Sequence, residues 1–248
     1  MSSYCDFASV YDVFTSNIDY HRRTAYYDRQ INAFGGKKGI LLDLACGTGS
    51  MSFEFAKLGY DVIGIDGSEE MLSAAMDKKL ESGIDSVIFL CQQMQELDLY
   101  GTVDVTVCAL DSLNHLTELK DLQDAFQRVS LFTNPGGLFL FDVNTLYKHQ
   151  EILGNNTFFY DEPGASCIWQ NTFIEPDTVQ IDLDFFIEAE HGLYRRTAEQ
   201  FQERAYTDEI LCSTLKKAGF SVLAVYDEDS ETPPHDTSER IIYIAKKI

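Results

Sequence analysis

Positive charge is scarce in this 248-residue sequence: 19 lysines and arginines stand against 40 aspartates and glutamates, a formal net charge of −21 at pH 7. A mean field of that sign repels polyanions and argues against a protein that tracks nucleic-acid phosphates; a solvated acidic surface accounts for the bulk of it. No run of 18 apolar residues exists, so no segment is expected to span a membrane. The N-terminus, Met1-Ser2-Ser3-Tyr4-Cys5-Asp6, has neither a basic n-region nor an apolar run, and no secretory signal is expected. The six cysteines (Cys5, Cys46, Cys91, Cys108, Cys167, Cys212) include no Cys-x-x-Cys pair and no Cys/His spacing suited to zinc. Together these absences lead to the expectation of a reduced, cytoplasmic, metal-free protein. The 45% hydrophobic and 24% charged fractions exclude disorder. A chain this long holds one or two domains and buries roughly 70–75% of its unfolded surface without needing cross-links.

What is present is alternation. Aromatic and aliphatic residues at helical spacing cover residues 7–34 and stop at Gly35-Gly36. Gly39 to Ala45 is a continuous apolar run of the kind that parallel strands, buried on both faces, require. Helix 50–58, strand Tyr60 to Ile65 and a helix opened by Ser68 follow, with Glu69 and Glu70 in its first turn. Strands at Ser86 to Leu90, Val103 to Leu110 and Gly137 to Val143 then flank a helix over 118–132. This is the βαβ pattern of a doubly wound sheet. From residue 144 the rhythm becomes antiparallel: Ser166 to Phe173, Val179 to Phe186 and Leu193 to Phe201 read as a meander. Helix 207–218 and strands Phe220 to Tyr226 and Arg240 to Ala245 restore the α/β pattern. The expected organisation is one α/β domain, residues 1–143 and 207–248, with an N-terminal helical cap over 1–36 and an antiparallel β insertion over 144–206.

The stretch that carries chemistry is Leu41-Leu42-Asp43-Leu44-Ala45-Cys46-Gly47-Thr48-Gly49-Ser50. A buried strand ends in a loop with two glycines, which admits a ligand close to the backbone and leads to the free N–H groups of a helix start. The third glycine of a dinucleotide fingerprint would fall at Ser52, so that fingerprint is incomplete. Asp66, at the tip of the second strand, is placed to accept hydrogen bonds from both hydroxyls of an adenosine ribose. Asp43 would repel phosphates but suits a ligand bearing an ammonium.

These residues, with Gly64-Ile65-Asp66-Gly67-Ser68-Glu69-Glu70-Met71-Leu72, the Asp104–His115 segment and Asn134-Pro135-Gly136-Gly137, strongly resemble the class I S-adenosylmethionine-dependent methyltransferases. The likeness covers the α/β core. It implies a Rossmann-like seven-stranded mixed sheet of order 3-2-1-4-5-7-6, with S-adenosylmethionine at its carboxyl edge. Carried over, Asp43, Ala45, Cys46, Gly47 and Gly49 hold the methionine portion; Asp66, with Gly67 and Met71 beside it, holds the ribose. An acid usually meets the adenine after strand three. Here Gln93 offers its amide oxygen instead, and Met94 packs on the purine. Tyr11 and Tyr20 match a subgroup in which N-terminal tyrosines fold over the methionine end. Leu110, Asp111 and Ser112 fall where donor meets acceptor.

His115 is a candidate general base, since neutral imidazole takes a proton near pH 7. His21, His149, His191 and His235 read as surface residues. Arg195 is a candidate for gripping an anionic acceptor, Arg195-Arg196 lying on a strand that turns only one of them inward. Trp169 and Tyr206 are candidate walls of an acceptor pocket, with packing as the competing role. The activity expected is methyl transfer to a small molecule or a protein side chain, the small molecule favoured, with the insertion as a lid. A non-catalytic cofactor binder and an NAD-dependent oxidoreductase are the alternatives, the latter opposed by Ser52 at the place of the third glycine.

Overall fold

The computed structural model describes residues 4–248, with the side chains of residues 4–7 and 9 outside the description. Met1 to Ser3 lie outside the described residues, as do the side chains of Tyr4, Cys5, Asp6 and Phe7. The seven-stranded sheet runs in spatial order β3 (Val87–Cys91), β2 (Asp61–Asp66), β1 (Ile40–Leu44), β4 (Val103–Cys108), β5 (Thr133–Asn144), β11 (Arg240–Lys247), β10 (Phe220–Asp227). The first five are parallel, while β11 runs antiparallel to both β5 and β10. This is the expected 3-2-1-4-5-7-6 order, with β10 and β11 as the sixth and seventh strands of the sheet.

The apolar runs explain the layering. Leu41, Leu42 and Leu44 are fully buried, sending side chains into clusters on both faces of the sheet. Each such side chain contributes about 1.5–3 kcal/mol by leaving water. Helices cover both faces. α3 (Ser50–Lys57) follows β1, and α4 (Glu69–Ser82) starts where Ser68 Oγ accepts the Met71 N–H at 3.2 Å. α5 (Leu119–Phe132) buries Leu122, Phe126 and Val129 at helical spacing, and α6 (Asp208–Lys217) is capped by Thr207.

Two expectations change. The helical stretch over 7–34 is two helices, α1 (Tyr4–Phe14) and α2 (Tyr20–Ala33). The polar link between them supplies Asp19, whose carboxylate caps α2 through the Arg22 N–H at 2.9 Å. The insertion has four strands rather than three: β6 (Thr157–Glu162), β7 (Ala165–Ile174), β8 (Thr178–Glu188) and β9 (Tyr194–Arg204) form a separate antiparallel sheet. β6 is an edge strand with mostly exposed side chains and so lacks the alternation that marks its neighbours. The inner face of this sheet (Cys167, Val179, Ile181, Leu183, Phe185) packs against Val10 and Phe14 of α1. α1 thus lies between the second sheet and the loop after β1. Among the described residues, no helix is long and apolar enough to cross a membrane.

Candidate active site

The loop after β1 is held in an uncommon conformation. Ala45 has φ +62°, and Gly47 and Gly49 have φ +54° and +76°. The two glycines serve different ends. A Cβ on Gly49 would lie 2.7 Å from the Phe89 ring, whereas one on Gly47 would meet nothing within 4 Å. Gly49 lets the helix start pack on the sheet, and Gly47 faces open space. The Cys46 N–H is bonded to the Ile65 carbonyl at 2.8 Å, tying the loop to β2.

Two carboxylates brace the loop from below. Asp43 is buried, and its Oδ2 accepts the Ser52 hydroxyl at 2.5 Å. Burial, only partly offset by that bond and reinforced by the charge of Asp66, pushes the Asp43 carboxyl up to about 6. The Asp66 oxygens accept the Gly47 N–H at 2.8 Å and the Ser68 N–H at 2.9 Å, while burial raises its pKa. A carboxylate offers about four lone-pair sites, so each Asp66 oxygen retains acceptor capacity. Tyr11, Tyr20, Asp43, Gly47, Leu110 and Ser112 line one cleft at the carboxyl edge of the sheet, together with Ala45 and Cys46. Burial strongly disfavours ionisation of the Tyr11 hydroxyl.

At the far end of this edge, Gln93 is exposed and its amide stands over Gly67, where a Cβ would approach it to 2.5 Å. The neighbouring Gln92 is the residue that fastens the loop, bonding the Asp98 carbonyl and N–H at 3.0 and 2.8 Å. Met94 opens a single turn of 3₁₀ helix, its sulfur 4.0 Å from Cys108 Sγ, and Met71 is buried near the start of α4.

A glycine loop after β1 and an acid at the tip of β2, sharing the carboxyl edge of a 3-2-1-4-5-11-10 sheet, have known counterparts. A family model described as "Methyltransferase domain" matches residues 41–137. The chain is 36% identical over 247 residues to the Bacillus subtilis (strain 168) protein named "Putative methyltransferase YqeM", covering 98% of this chain and 97% of that one. It superposes with a TM-score of 0.89 on a solved S-adenosylmethionine-dependent methyltransferase from Clostridium acetobutylicum ATCC 824, at 32% identity and 99% coverage of both chains. The chain belongs to the class I S-adenosylmethionine-dependent methyltransferases. A more distant structure, CalS10 of Micromonospora echinaspora with S-adenosylmethionine bound, shares the fold at 19% identity, TM-score 0.77, and 96% and 97% coverage.

At the end of β4, the methyltransferase holds a buried ionic network that the sequence did not announce. Leu110 and Asp111, at the end of β4, both have positive φ, +58° and +54°. The fully buried Asp142 carboxylate on β5 accepts their N–H groups at 2.9 and 2.7 Å, the Tyr27 hydroxyl at 2.7 Å and Arg240 Nη1 at 3.0 Å. Arg240 reaches Asp111 Oδ2 at 3.2 Å with its other terminal nitrogen and lies 3.4 Å from Glu228, which also pairs with Arg23 at 2.7 Å. The only trace of this network in the sequence is a single acid inside the apolar run Leu138 to Val143. A charge in a strand buried on both faces requires a cation, and Arg240 opens the antiparallel neighbour.

Asn144 extends the network. Its Nδ2 donates to Asp111 Oδ2 at 2.5 Å and to Glu203 Oε2 at 3.1 Å. Asn114, fully buried, clamps the backbone of Asn144 and the Arg204 carbonyl, joining the end of β4 to β5 and β9. His115, in the short turn after Asp111, has a side chain 45% exposed, with Nε2 3.9 Å from Glu203 Oε1 and its ring centroid 5.0 Å from that of Phe201. His149, read as a surface residue, is fully buried with Nε2 3.4 Å from Glu203 Oε2. Burial opposes charge on Glu203, but the His149 contact and the field of His115 outweigh it and hold the carboxyl below its ordinary value.

The structure does not bring the three residues read as acceptor contacts together. Tyr206 is buried in the main core, where its hydroxyl donates to the Leu116 carbonyl and its pKa is pushed up to about 12 by burial. Trp169 packs between Phe158 and Tyr160 and donates its indole N–H to Asn171 at 2.6 Å, a packing role within the second sheet. Arg195 and Arg196 are both exposed, contrary to the expectation that one turns inward, and Arg196 pairs with Asp184 at 2.5 Å. Arg195 stands eight residues from Glu203 along β9, roughly 25 Å at strand spacing. The inward side chains of β9 nearer the site are Glu199 and Glu203.

Proposed function

We propose that the enzyme methylates a small-molecule acceptor in the cleft beneath the second sheet. The observation that carries this reading is the convergence of Tyr11, Tyr20, Asp43, Gly47, Leu110 and Ser112 on one cleft, with the network of Asp111, Asn144, His115 and Glu203 beside it. Bound S-adenosylmethionine supplies a methyl group on a sulfonium with a good leaving group. The residues present fit it: Gly47 leaves space where a side chain would intrude, Asp43 suits a ligand ammonium, and Asp66 has acceptor capacity left for two hydroxyls.

In this reading Asp43, Ala45, Cys46, Gly47 and Gly49 hold the methionine end. Asp66, Gly67 and Met71 surround the ribose, Gln93 and Met94 take the adenine, and Tyr11 and Tyr20 cover the methionine end. Leu110, Asp111 and Ser112 form the floor on which acceptor and methyl meet. Catalysis is then mainly positioning, with nucleophile, methyl carbon and sulfur in line. His115 accepts the proton of an acceptor that must lose one and passes it to water, to which its ring is open. Residues 144–206 act as a lid that excludes water and shapes acceptor choice, on the α/β core of residues 1–143 and 207–248. CalS10 is an amino pentose methyltransferase, a small-molecule enzyme on the same fold.

The test is incubation with methyl-labelled S-adenosylmethionine and separate pools of small metabolites, protein and RNA. Label in the metabolite pool supports the reading; label confined to RNA or protein overturns it.

A further inference from the structure

Resting on that reading, we infer that Asn144, Glu203 and Asp111 form a subsite for a cationic amine, so that the atom methylated is an amine nitrogen. Three observations carry it. First, Asn144 is 2% exposed, and its amide nitrogen bridges the carboxylates of Asp111 and Glu203, yet its Oδ1 has no hydrogen-bond partner among the described residues. A buried amide oxygen without a donor is unfavourable, so a site that leaves one is completed by a ligand that brings N–H groups.

Second, the surrounding charge has an excess of one sign. The carboxylates are Asp111, Asp142, Glu203 and Glu228, and the guanidiniums are Arg23 and Arg240, four acids to two fixed cations, with the rings of His115 and His149 facing Glu203. Arg240 does not reverse this near Asn144, because it is shared among Asp111, Asp142 and Glu228. Third, Asp111 is next in sequence to Leu110 and Ser112, which line the cleft with Tyr11, so the subsite adjoins the place where the methyl group is delivered.

The reaction's own charge balance then selects nitrogen. A bound ammonium gives one proton to His115, which releases it to water. The freed lone pair forms the N–C bond as the C–S bond breaks, and that bonding pair stays on sulfur. The product is an N-methylated ammonium beside a neutral thioether, so positive charge moves toward Glu203 and Asp111 as the bond forms. A phenol or carboxylic acid would instead have to present an anion to the carboxylates of Glu203 and Asp111.

The experiment uses protein saturated with S-adenosylhomocysteine, its binding measured first, and titrates three probes of one shape: cyclohexylamine, cyclohexanol and cyclohexanecarboxylate. The amine is expected to bind at least about tenfold more tightly than either analogue. That preference should fall about tenfold in Glu203→Gln and in Asn144→Leu, with S-adenosylhomocysteine affinity unchanged in both. Retained affinity shows that the variants are folded. Failure of S-adenosylhomocysteine to bind the native protein would sink the cofactor reading and this one with it. Binding of it without a preference for the amine, or with a preference that survives both substitutions, overturns the amine subsite alone.

Discussion

The carboxylate of Asp142 accepts the backbone N–H of Asp111 at 2.7 Å, and the neighbouring Leu110 N–H at 2.9 Å. Two consecutive non-glycine residues with positive φ cost about 1–2 kcal/mol each in isolation, and they persist where the surroundings over-determine them. Here the surroundings are one fully buried acid, itself neutralised by Arg240 from the antiparallel strand and bonded to Tyr27 of α2. The antiparallel strand pair at the sheet's end therefore reaches the turn after β4 through a single guanidinium.

Removing that acid should be severe. Asp142→Ala leaves Arg240 short of a buried partner and is expected to cost about 3–5 kcal/mol. For a chain of this size that lowers Tm by roughly 6–20 °C in a thermal melt. Adding Arg240→Met should restore part of the loss, because the orphaned charge is then gone. A double variant no more stable than Asp142→Ala would show that the ion pair is not the main interaction there.

Affinity for S-adenosylhomocysteine should depend on pH through Asp43. Its folded carboxyl sits at about 6, above the ordinary 3.8, so the fold binds that proton more tightly than the unfolded chain does. The associated stability is fully present below about pH 4 and is lost as pH rises through about 6. In the proposed reading a ligand ammonium lies beside Asp43 and prefers its ionised form. Binding should therefore be about tenfold weaker at pH 5 than at pH 7, releasing the proton on association. Asp66, also raised by burial, acts in the same direction. Calorimetry across this range checks it, and Asp43→Asn should flatten the profile.

The two glycines of the loop should separate fold from binding. Gly49→Ala brings a methyl within 2.7 Å of the Phe89 ring in a left-handed conformation, and is expected to cost about 2–5 kcal/mol of stability. Gly47→Ala meets no neighbour and should cost only about 1–2 kcal/mol, yet lose most of the affinity for S-adenosylhomocysteine. Melting curves with and without the ligand distinguish the two.

The contact of α1 with the loop after β1 should matter modestly. Asp12 accepts the Thr48 hydroxyl at 2.8 Å and pairs with Lys78 at 2.6 Å, while Phe14 of the same helix meets Phe185 of the second sheet with ring centroids 5.4 Å apart. The Asp12–Lys78 pair is about one-third exposed, so its value is within ~1 kcal/mol. Lys78→Ala is expected to weaken S-adenosylhomocysteine binding by no more than about fivefold. A larger loss would mean that the site depends on Lys78, which also donates to Thr48 and Ser50 at 2.9 and 3.1 Å.

The parallel core was legible because strands buried on both faces announce themselves as unbroken apolar runs, and the loop because Gly47, Gly49 and Asp66 fall at positions that local turn chemistry dictates. The network behind Asp111 was not legible. Asp142 and Arg240 lie far apart in the chain and meet only through antiparallel pairing of β5 and β11, and Glu203 reaches Asn144 only once the second sheet is folded over the edge. His149 failed for the same reason, since burial of a polar residue by a distant strand leaves no local pattern. Tyr206 and Trp169 illustrate the converse: large amphipathic side chains suit a pocket wall and a packed core equally, and only the contacts decide.

The most direct test of the account is calorimetric titration of the native protein and of Asp66→Ala with S-adenosylhomocysteine, with NAD as a matched control. Hydrogen bonds from ligand hydroxyls to a charged carboxylate contribute about 1.5–3 kcal/mol, so the substitution should weaken binding by at least about tenfold, with NAD unbound by either protein. Unchanged affinity in Asp66→Ala, or binding of NAD in place of S-adenosylhomocysteine, would contradict the assignment of the cofactor to this loop.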